Sequence, residues 1–465
     1  MDMLLLGALM PHPPLLVPDV GKEQIAKVRA TAEAMQKLAA EIKGLQPETI
    51  IIFSPHGPVF SDGMAIRGGE LVLRGHLRRF GSAREFVRRV DGELAEAVAR
   101  EAVAAGIYTM VMDEAALQRH GIDPLLDHGV LVPLSFLDEV DAAVVAMGMA
   151  FMPRLQLMEF GRAVARAIEK VGRRTVVIAS GDLSHCLTHD APVPYNPNGE
   201  KLDREIMACL KDADFGRLAR LDPELQEKGA ECGYRTLLML AGVLDGRWVE
   251  ANCLSYEGPY GVGYGVVSLR PGPAGSAPSC YEQLVVEEKA AMAQRRAQES
   301  PLVRLARYTV ESRALGLPPK EVADLPPVAR ERAGVFVSIK KHGELRGCIG
   351  TIQPVQANVV EEIRANAISA AFRDPRFDPV EPEELNDLVY SVDVLTPPEP
   401  VASLAELDPK VYGVIVRQNG RSGLLLPDLP GIDTAEEQVA IARRKAGIPA
   451  DSPVQLERFR VVRYY

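Results

Sequence analysis

The sequence predicts an α/β protein: a mainly parallel sheet flanked by helices, followed by a smaller C-terminal α/β or α+β domain. Apolar runs at residues 3–10 and 49–53 stop abruptly at loops rich in proline or glycine, which is typical of buried strands. Between them, Ile25, Val28 and Met35 recur at helical spacing. Because a strand, a helix and a strand alternate, we expect parallel pairing.

The same alternation returns further along the chain. Residues 143–147 are apolar, residues 157–171 have helical periodicity, and residues 175–179 are apolar again before a Ser-Gly-Asp turn. In parallel sheets, ligands bind outside the carboxyl ends of the strands. The loops that follow these strands therefore predict a site at one edge of the sheet.

A composition break separates two predicted domains. At 465 residues the chain exceeds the roughly 100–200 residues of one domain, and residues 271–278 are dense in proline and glycine, which neither continue a helix nor pair in a central strand. We expect a first domain at residues 1–272 and a second at 281–465. The second is expected to contain helices at 284–312, 359–371 and 436–446 and strands at 335–339, 388–394 and 413–416.

Composition limits the partners and the location. A net charge of -10 leaves no basic field for nucleic acid, and four clustered arginines are expected to form a solvated helix face. No apolar stretch reaches the ~20 residues of a membrane helix, so no membrane association is expected and the location is predicted to be cytoplasmic. Self-association into a homo-oligomer stays open. The arginines are Arg78, Arg79, Arg88 and Arg89.

The cysteines do not form a recognisable framework. Six are scattered through the chain without a Cys-x-x-Cys pair, which argues against structural disulfides and against a structural zinc site. Reduced thiols are expected.

The histidines divide by their surroundings. An isolated histidine in a loop is usually only a surface residue. Histidines that recur in the loops after successive strands instead indicate metal ligands. Three of the eight histidines lie in charged stretches: His76, His120 and His342. Four others lie in loops bounded by proline or small residues after apolar runs: His12, His56, His128 and His185.

A carboxylate is expected to complete such a site. Two imidazoles and one carboxylate leave open positions on an octahedral metal for other ligands. Glu231 fits, because it stands among small residues just before the apolar helix expected at residues 237–244. The alternative is that Glu231 only stabilises the amino end of that helix through its dipole.

Five ordered motifs carry a family resemblance. They are PHPPL at His12, SPHG at His56, DHGVLVPL at His128, GDLSH at His185 and AECGY at Glu231. In this order they resemble the catalytic subunit of the class III extradiol ring-cleaving dioxygenases and the related Memo-like proteins, over roughly residues 3–270. Memo-like relatives keep much of the fold without an established ring-opening role.

The resemblance implies specific roles. His12, His56 and Glu231 would hold Fe(II), His185 would be the acid/base residue, and His128 would line the pocket of a catechol-like aromatic small molecule. Imidazole exchanges a proton near neutral pH, which suits the acid/base role. Asp182 is expected either to orient His185 or to cap its loop. Two histidines and one glutamate also describe catalytic zinc, so Zn and a zinc hydrolase remain alternatives.

The C-terminal part resembles the AMMECR domain family. The resemblance rests on LRGCIGT at residues 345–351, AFRDPRF at 371–377 and GLLLP at 423–427. Such domains co-occur with Memo-like and radical SAM proteins in the AmmeMemoRadiSam system. The alternative to a dioxygenase is therefore a metal-binding non-oxygenase partner of a radical SAM enzyme.

One thiol in the C-terminal domain carries a separate hypothesis. Arg346 lies beside Cys348 in a glycine-bracketed segment, and a nearby cation would stabilise a nucleophilic thiolate. The alternative is a small buried cysteine in a tight turn.

Overall fold

The computed structural model describes residues 2–429 and 431–465, which form two compact units. The units are Met1–Glu287 and Glu288–Tyr465. The division falls inside a helix, and the proline- and glycine-rich segment lies within the first unit. Two backbone bonds, Gly272 N–H to the Trp248 carbonyl and Ala277 N–H to the Gly246 carbonyl, tie that segment back onto the unit.

The first unit is built on an eight-stranded sheet with the order β6-β3-β7-β2-β8-β1-β10-β9, and β4 pairs with β5 in a separate hairpin. The strands are β1 Leu4–Met10, β2 Thr49–Phe53, β3 Met64–Arg67, β4 Val72–His76, β5 Glu85–Arg89, β6 Thr109–Met112, β7 Ala143–Met147, β8 Thr175–Ser180, β9 Val249–Glu257 and β10 Tyr264–Pro271.

The centre of this sheet confirms the predicted parallel architecture. Strands β1, β8, β2 and β7 are parallel neighbours, and antiparallel β10 and β9 close one side. Every residue of β2 and β8 is buried, which explains why these strands read as continuous apolar runs. Because β1, β2 and β8 run in the same direction, the loops that follow them lie at the same sheet edge.

Helices cover both faces of the sheet. On one face, α6 and α10 pack backbone to backbone: a Cβ added at Gly242 would lie 1.9 Å from the Met158 carbonyl oxygen. The other face packs on α2 and α5. The helices are α1 Pro18–Gly21, α2 Arg29–Leu45, α3 Gly92–Ala104, α4 Glu114–Arg119, α5 His128–Phe136, α6 Arg154–Val171, α7 Pro197–Lys211, α8 Phe215–Ala219, α9 Pro223–Gly229, α10 Tyr234–Val243 and α11 Cys280–Gln298.

The second unit is α+β. Its two four-stranded sheets have the orders β12-β11-β13-β18 and β14-β17-β15-β16, and all their pairings are antiparallel. The elements are α12 Pro301–Ala314, β11 Val335–Lys341, β12 Glu344–Gly350, α13 Val359–Phe372, β13 Leu388–Leu395, β14 Glu399–Val401, β15 Gly413–Gln418, β16 Arg421–Leu425, α14 Ala435–Ala446, β17 Gln455–Phe459 and β18 Val461–Tyr464.

The arginine cluster does not form the expected helix face. Arg88 and Arg89 lie on strand β5, and Arg78 and Arg79 belong to one turn of 3-10 helix. The prediction was wrong because charged residues spaced along the chain do not distinguish a helix from a twisted hairpin at a sheet surface. No helix in the described part of the chain combines the length and apolar character needed to cross a bilayer.

Candidate metal centre

Three imidazoles meet at the carboxyl edge of the large sheet. His12 follows β1, His56 follows β2, and His128 begins α5. One ring nitrogen from each lies within 4.8 Å of the others, and this is the one such group of potential metal ligands among residues 2–429 and 431–465. His12 is buried, His128 is partly buried, and His56 is exposed.

The tautomer of His12 is set by Ser180. The Ser180 hydroxyl donates to the Gly129 carbonyl at 2.5 Å, which uses its only hydrogen. His12 Nδ1, 2.9 Å from that oxygen, must therefore donate its proton to it. The lone pair of neutral His12 is consequently on Nε2, the atom that faces the other histidines.

His12 and His56 direct the same atom towards each other. Their Nε2 atoms are 2.9 Å apart, with the rings nearly perpendicular at 87°. Two nitrogens bound about 2.1 Å from one metal in neighbouring octahedral positions lie about 3 Å apart. Burial lowers the pKa of His12 well below its usual range, and packing of protein atoms around the His56 ring lowers its pKa as well. Both rings are therefore neutral and ready to ligate at physiological pH.

His128 differs from His12 in its tautomer. Its Nδ1 is 3.0 Å from Arg79 Nη2, and a guanidinium only donates, so Nδ1 accepts. The remaining proton of neutral His128 is therefore on Nε2. Burial, and then the charges of His12, His56 and Arg79, lower the pKa of His128 to about 3. This ring, stacked on His56 at a centroid distance of 4.3 Å, offers an N–H donor rather than a lone pair.

His185 offers a free lone pair. Its backbone N–H and its Nδ1 both donate to the carbonyl of Ala230 at 2.9 Å. Ala230 has a left-handed backbone, with φ at 50°, where α9 ends, and this conformation costs about 1 kcal/mol for a non-glycine residue. With Nδ1 occupied, Nε2 of neutral His185 can accept a proton. A charge on His185 lowers the pKa of both His12 and His56, but His185 does not belong to the group of three imidazoles and is not among the residues that line the cavity beside His56 and His128.

Asp182 holds the His12 loop. Its Oδ1 accepts the backbone N–H of His12 at 2.8 Å, so this carboxylate orients the first histidine rather than His185. Burial raises the pKa of Asp182 to about 6, although the His12 hydrogen bond and the charges of His185 and His56 oppose that effect.

Glu231 caps a helix in the structure. Its Oε2 accepts the Tyr234 backbone N–H at the start of α10, which is the alternative that the sequence left open. Burial raises the pKa of Glu231 to about 7. Its carboxylate does not belong to the group of three imidazoles within the described residues. Its role as a metal ligand stays a prediction.

Cys232 is a neighbour that sequence reasoning missed. Its Sγ lies 3.7 Å from His12 Nε2 and 3.3 Å from the Asp182 backbone nitrogen. Gly181 and Gly233 make this possible, because a Cβ on Gly181 would be 2.3 Å from the Gly233 Cα. Burial raises the pKa of the Cys232 thiol well above its usual value. Its position directly after Glu231 in the AECG motif was the available signal.

A small cavity adjoins the cluster. Its volume is about 280 Å³, and its lining includes His56, His128, Phe80 and Leu131. A larger cavity of about 880 Å³ lies at the opposite edge of the sheet, where strands β2 and β7 begin. The smaller cavity is therefore the one placed to hold a ligand against the histidines.

The geometry agrees with a family comparison. The family model described as "Catalytic LigB subunit of aromatic ring-opening dioxygenase" matches residues 6–267, which is more than half of the chain. The chain belongs to the LigB family. Residues 303–464 of this LigB-family protein match the AMMECR1 model, so both predicted resemblances are confirmed.

Relatives match either nearly the whole chain or a part of it. Protein CA_C1420 of Clostridium acetobutylicum is 38% identical over 465 residues and covers 98% of either chain. A Thermotoga maritima protein is 58% identical over 137 residues, 29% of this chain and 79% of its own.

Two solved structures were matched. The uncharacterized protein PH0010 of Pyrococcus horikoshii has 37% identity, a TM-score of 0.32 and coverage of 35% of this chain and 88% of its own. The uncharacterized protein JW3007 of Escherichia coli K12 has 17% identity, a TM-score of 0.38 and coverage of 57% and 99%.

In the second unit, Arg346 is engaged away from Cys348. Its Nε and Nη2 donate to the two Glu384 oxygens at 3.0 and 2.9 Å. The Cys348 Sγ instead accepts the Ser338 hydroxyl at 3.2 Å, and its backbone N–H donates to Asp374. The thiol hypothesis therefore lacks its proposed cationic contact among the described side-chain bonds.

Proposed function

We propose that this LigB-family protein binds one divalent metal, Fe(II), between His12 and His56, and uses it with dioxygen, whose two oxygen atoms enter the product, to open the ring of a catechol-like aromatic small molecule. The observation that carries the proposal is the 2.9 Å separation of the two Nε2 atoms. Ser180 strengthens it, because its hydrogen bonds leave the His12 lone pair on that atom.

The donor set suits a non-haem metal. Neutral imidazoles are common iron and zinc ligands, and the carboxylate of Glu231, or Cys232 as a thiolate if metal binding releases its proton, would supply the anionic third ligand. When bound, Fe(II) supplies Lewis acidity and redox chemistry that imidazole lacks. Zinc would fit the same donors, so metal identity is part of the proposal.

His185 and His128 would act on the substrate. His185 Nε2 would accept a proton from one ring hydroxyl and return it later, a role typically worth ~10²–10⁴ in rate. His128 Nε2–H would donate a hydrogen bond to a substrate oxygen. Neither role needs a change in the hydrogen bonds that Ala230 and Arg79 make with these rings.

The fused AMMECR1 domain favours a second candidate function. A metal-binding protein without oxygenase activity, acting with a radical SAM enzyme in the AmmeMemoRadiSam system, would retain the same histidines. A cytoplasmic location remains a prediction under both candidates.

Oxygen uptake separates these candidates. The protein would be purified without oxygen, loaded with Fe(II) or Zn(II), and assayed with a panel of catechols in an oxygen electrode. Uptake with iron alone, lost in His12→Ala and His185→Ala, supports ring opening. Stoichiometric metal without oxygen uptake contradicts the dioxygenase proposal and favours the partner role, which a pull-down with a radical SAM protein then tests.

A further inference from the structure

One buried carboxylate of the first unit has no part in the proposed chemistry. Asp203 lies on α7 and is 0% exposed. Its Oδ1 accepts the Ser184 backbone N–H at 2.7 Å, and its Oδ2 accepts the Tyr256 hydroxyl at 2.8 Å. Burial raises the pKa of Asp203 to about 6, although these two hydrogen bonds oppose that effect. Both partners are neutral, so the carboxylate is held by hydrogen bonds rather than by a cation.

A buried carboxylate in this environment is costly, and two hydrogen bonds offset only part of its desolvation. A carboxylate differs from other small side chains because both of its oxygens accept. Asp203 therefore joins two separate elements, the segment that follows β8 through Ser184 and strand β9 through Tyr256.

The fold around this carboxylate fixes the backbone of Ser184 from two sides. Its N–H donates to Asp203, and its carbonyl accepts the Gly263 N–H at 2.8 Å. A Cβ added to Gly263 would lie 2.0 Å from Asp203 Oδ2, so glycine is needed for the carboxylate to reach this position. Asp203 and the start of β10 together leave Ser184 one place to lie.

Ser184 directly precedes His185, whose other neighbour is also held. Cys186 donates its backbone N–H to Ser184 Oγ at 3.2 Å, and its Sγ donates to the Gly229 carbonyl at 3.3 Å. The next carbonyl along the chain, that of Ala230, accepts the Nδ1–H of His185 at 2.9 Å. The direction of His185 Nε2 therefore depends on where the Ser184 backbone lies relative to Ala230.

We propose that Asp203 is a positioning residue for His185: by fixing the Ser184 backbone, it holds the imidazole on the Ala230 carbonyl and keeps Nε2 in one direction. The inference rests on the proposed function for the acid/base chemistry of His185. It deepens that function by naming the side chain that sets the geometry of the proton acceptor. A displacement of about 1 Å in a catalytic group can cost about 10²-fold in rate.

Nuclear magnetic resonance tests the positioning without turnover. Full-length protein would be labelled with ¹⁵N-histidine and kept free of metal, because paramagnetic iron broadens imidazole signals. Two Nδ1–H protons are compared in the same spectrum: that of His185, which donates to Ala230, and that of His12, which donates to Ser180. The signals are assigned by their absence in His185→Gln and His12→Gln, and their exchange with water is measured.

Asp203→Ala and Asp203→Asn give opposite expectations. In Asp203→Ala the exchange of the His185 proton should become about tenfold or more faster, because a hydrogen-bonded proton exchanges only when its bond opens. Exchange of the His12 proton should stay within about twofold. In Asp203→Asn the amide oxygen still accepts the Ser184 N–H and the amide N–H donates to Tyr256, so both protons should exchange at nearly the original rates.

A surface variant keeps the test decisive if Asp203→Ala does not fold. Tyr256 is 43% exposed, and Tyr256→Phe removes only the hydroxyl that holds Asp203 Oδ2. It should make the His185 proton exchange about threefold faster. The matched control is Tyr260→Phe, which removes a hydroxyl bonded to the Gln24 carbonyl and should change neither proton.

Three results would overturn the proposal. The first is unchanged exchange of the His185 proton in Asp203→Ala or, if that variant does not fold, in Tyr256→Phe. The second is an equal increase for the His12 proton, which would mean general loosening of the unit. The third is Asp203→Asn behaving like Asp203→Ala, since the charge and not the bond to Ser184 would then be responsible.

Oxygen uptake separates this proposal from the proposed function. With iron and catechol, Asp203→Ala should lower kcat about tenfold or more, with KM and iron content within about twofold and rescue by Asp203→Asn. If the unmodified protein consumes no oxygen but the His185 proton responds as expected, ring opening is wrong and the positioning stands. If it consumes oxygen and Asp203→Ala changes neither kcat nor proton exchange, ring opening stands and the positioning is wrong.

Discussion

The histidine cluster of the first unit and the surroundings of Cys348 in the second differ in how their polar groups are satisfied. In the first, the Nε2 atoms of His12 and His56 lie 2.9 Å apart, and the hydrogen bonds of Ser180 leave the His12 lone pair on that atom. In the second, Arg346 bonds Glu384 through two nitrogens. A lone pair directed towards a second imidazole nitrogen suits a metal site, whereas mutually satisfied charges indicate a structural role.

The largest expected effect is loss of the metal. His12→Ala removes the ligand whose tautomer Ser180 fixes, and we expect no stoichiometric Fe(II) after anaerobic loading and desalting. Elemental analysis gives the metal content. Cys348→Ser is the matched control and should bind as much metal as the unmodified protein, since it lies in the other unit. Full metal content in His12→Ala would show that His12 is not needed for metal binding, and the proposed difference between the two regions would be wrong.

Substitution of His185 should lower the rate of oxygen uptake and leave metal binding unchanged. In His185→Ala the proton acceptor is lost, and we expect kcat for oxygen uptake to fall by about 10²–10⁴ with metal content unchanged. Stopped-flow oxygen consumption and elemental analysis on the same sample separate the two. A variant that loses its metal would instead make His185 a ligand.

Substitution of Ser180 tests whether the tautomer of His12 affects metal affinity. Ser180→Ala removes the acceptor of His12 Nδ1–H, and outer partners of this kind are typically worth about 10- to 100-fold in metal affinity. Competition with a chelator measures the change. The control is Ser338→Ala, which removes the hydroxyl that bonds Cys348 in the second unit and should leave metal affinity unchanged.

The ion pair between Arg346 and Glu384 should contribute measurably to the free energy of unfolding. Burial alone would raise the pKa of Glu384, but hydrogen bonds from Arg346 and Lys341 lower it to about 2. The depressed pKa stabilises the fold above the ordinary pKa of 4.5, and this contribution is lost as the pH falls from there towards 2. Glu384→Gln should lower the free energy of unfolding of the second unit at pH 7 by about 1–2 kcal/mol after solvent screening.

Chemical denaturation at pH 7 and at pH 3 measures that effect. The difference between Glu384→Gln and the unmodified protein should shrink at the lower pH. A difference that does not depend on pH would mean that packing, and not charge, makes the contribution of Glu384.

The smallest effect is expected at Cys348. Cys348→Ser keeps a small polar side chain that bonds Ser338, so the free energy of unfolding should change by less than about 1 kcal/mol. Denaturation curves give this number. A larger loss would show that the sulfur makes a packing contribution that the hydrogen bonds do not reveal.

The sequence predicted the parallel centre of the fold because buried strands such as Thr49–Phe53 are continuous apolar runs between breaking residues. It missed the hairpin of β4 and β5, since the two pairs of adjacent arginines at residues 78–79 and 88–89 resemble a charged helix face. It also placed His76 among uninformative histidines. Only the folded hairpin brings its ring into the cavity, so no local pattern could have identified it.

The sequence predicted which histidines meet at the site, but it did not predict the contacts of the neighbouring residues or the histidine tautomers. His12 follows β1 and His56 follows β2, and both strands pair in parallel with β8 between them, so topology alone brings the two histidines to one edge. The contacts of Glu231 and Cys232 depend on a loop held by glycine-to-glycine packing, which spacing along the chain does not specify. Tautomers depend on hydrogen bonds between distant residues, such as Ser180 with Gly129.

X-ray absorption at the metal edge tests the central claim most directly. Anaerobically loaded Fe(II) protein should show imidazole scattering from at least two rings bound to one metal, and His56→Ala should lose one of them. A metal without imidazole neighbours, or an imidazole count unchanged in His56→Ala, would contradict the claim that His12 and His56 share one metal ion.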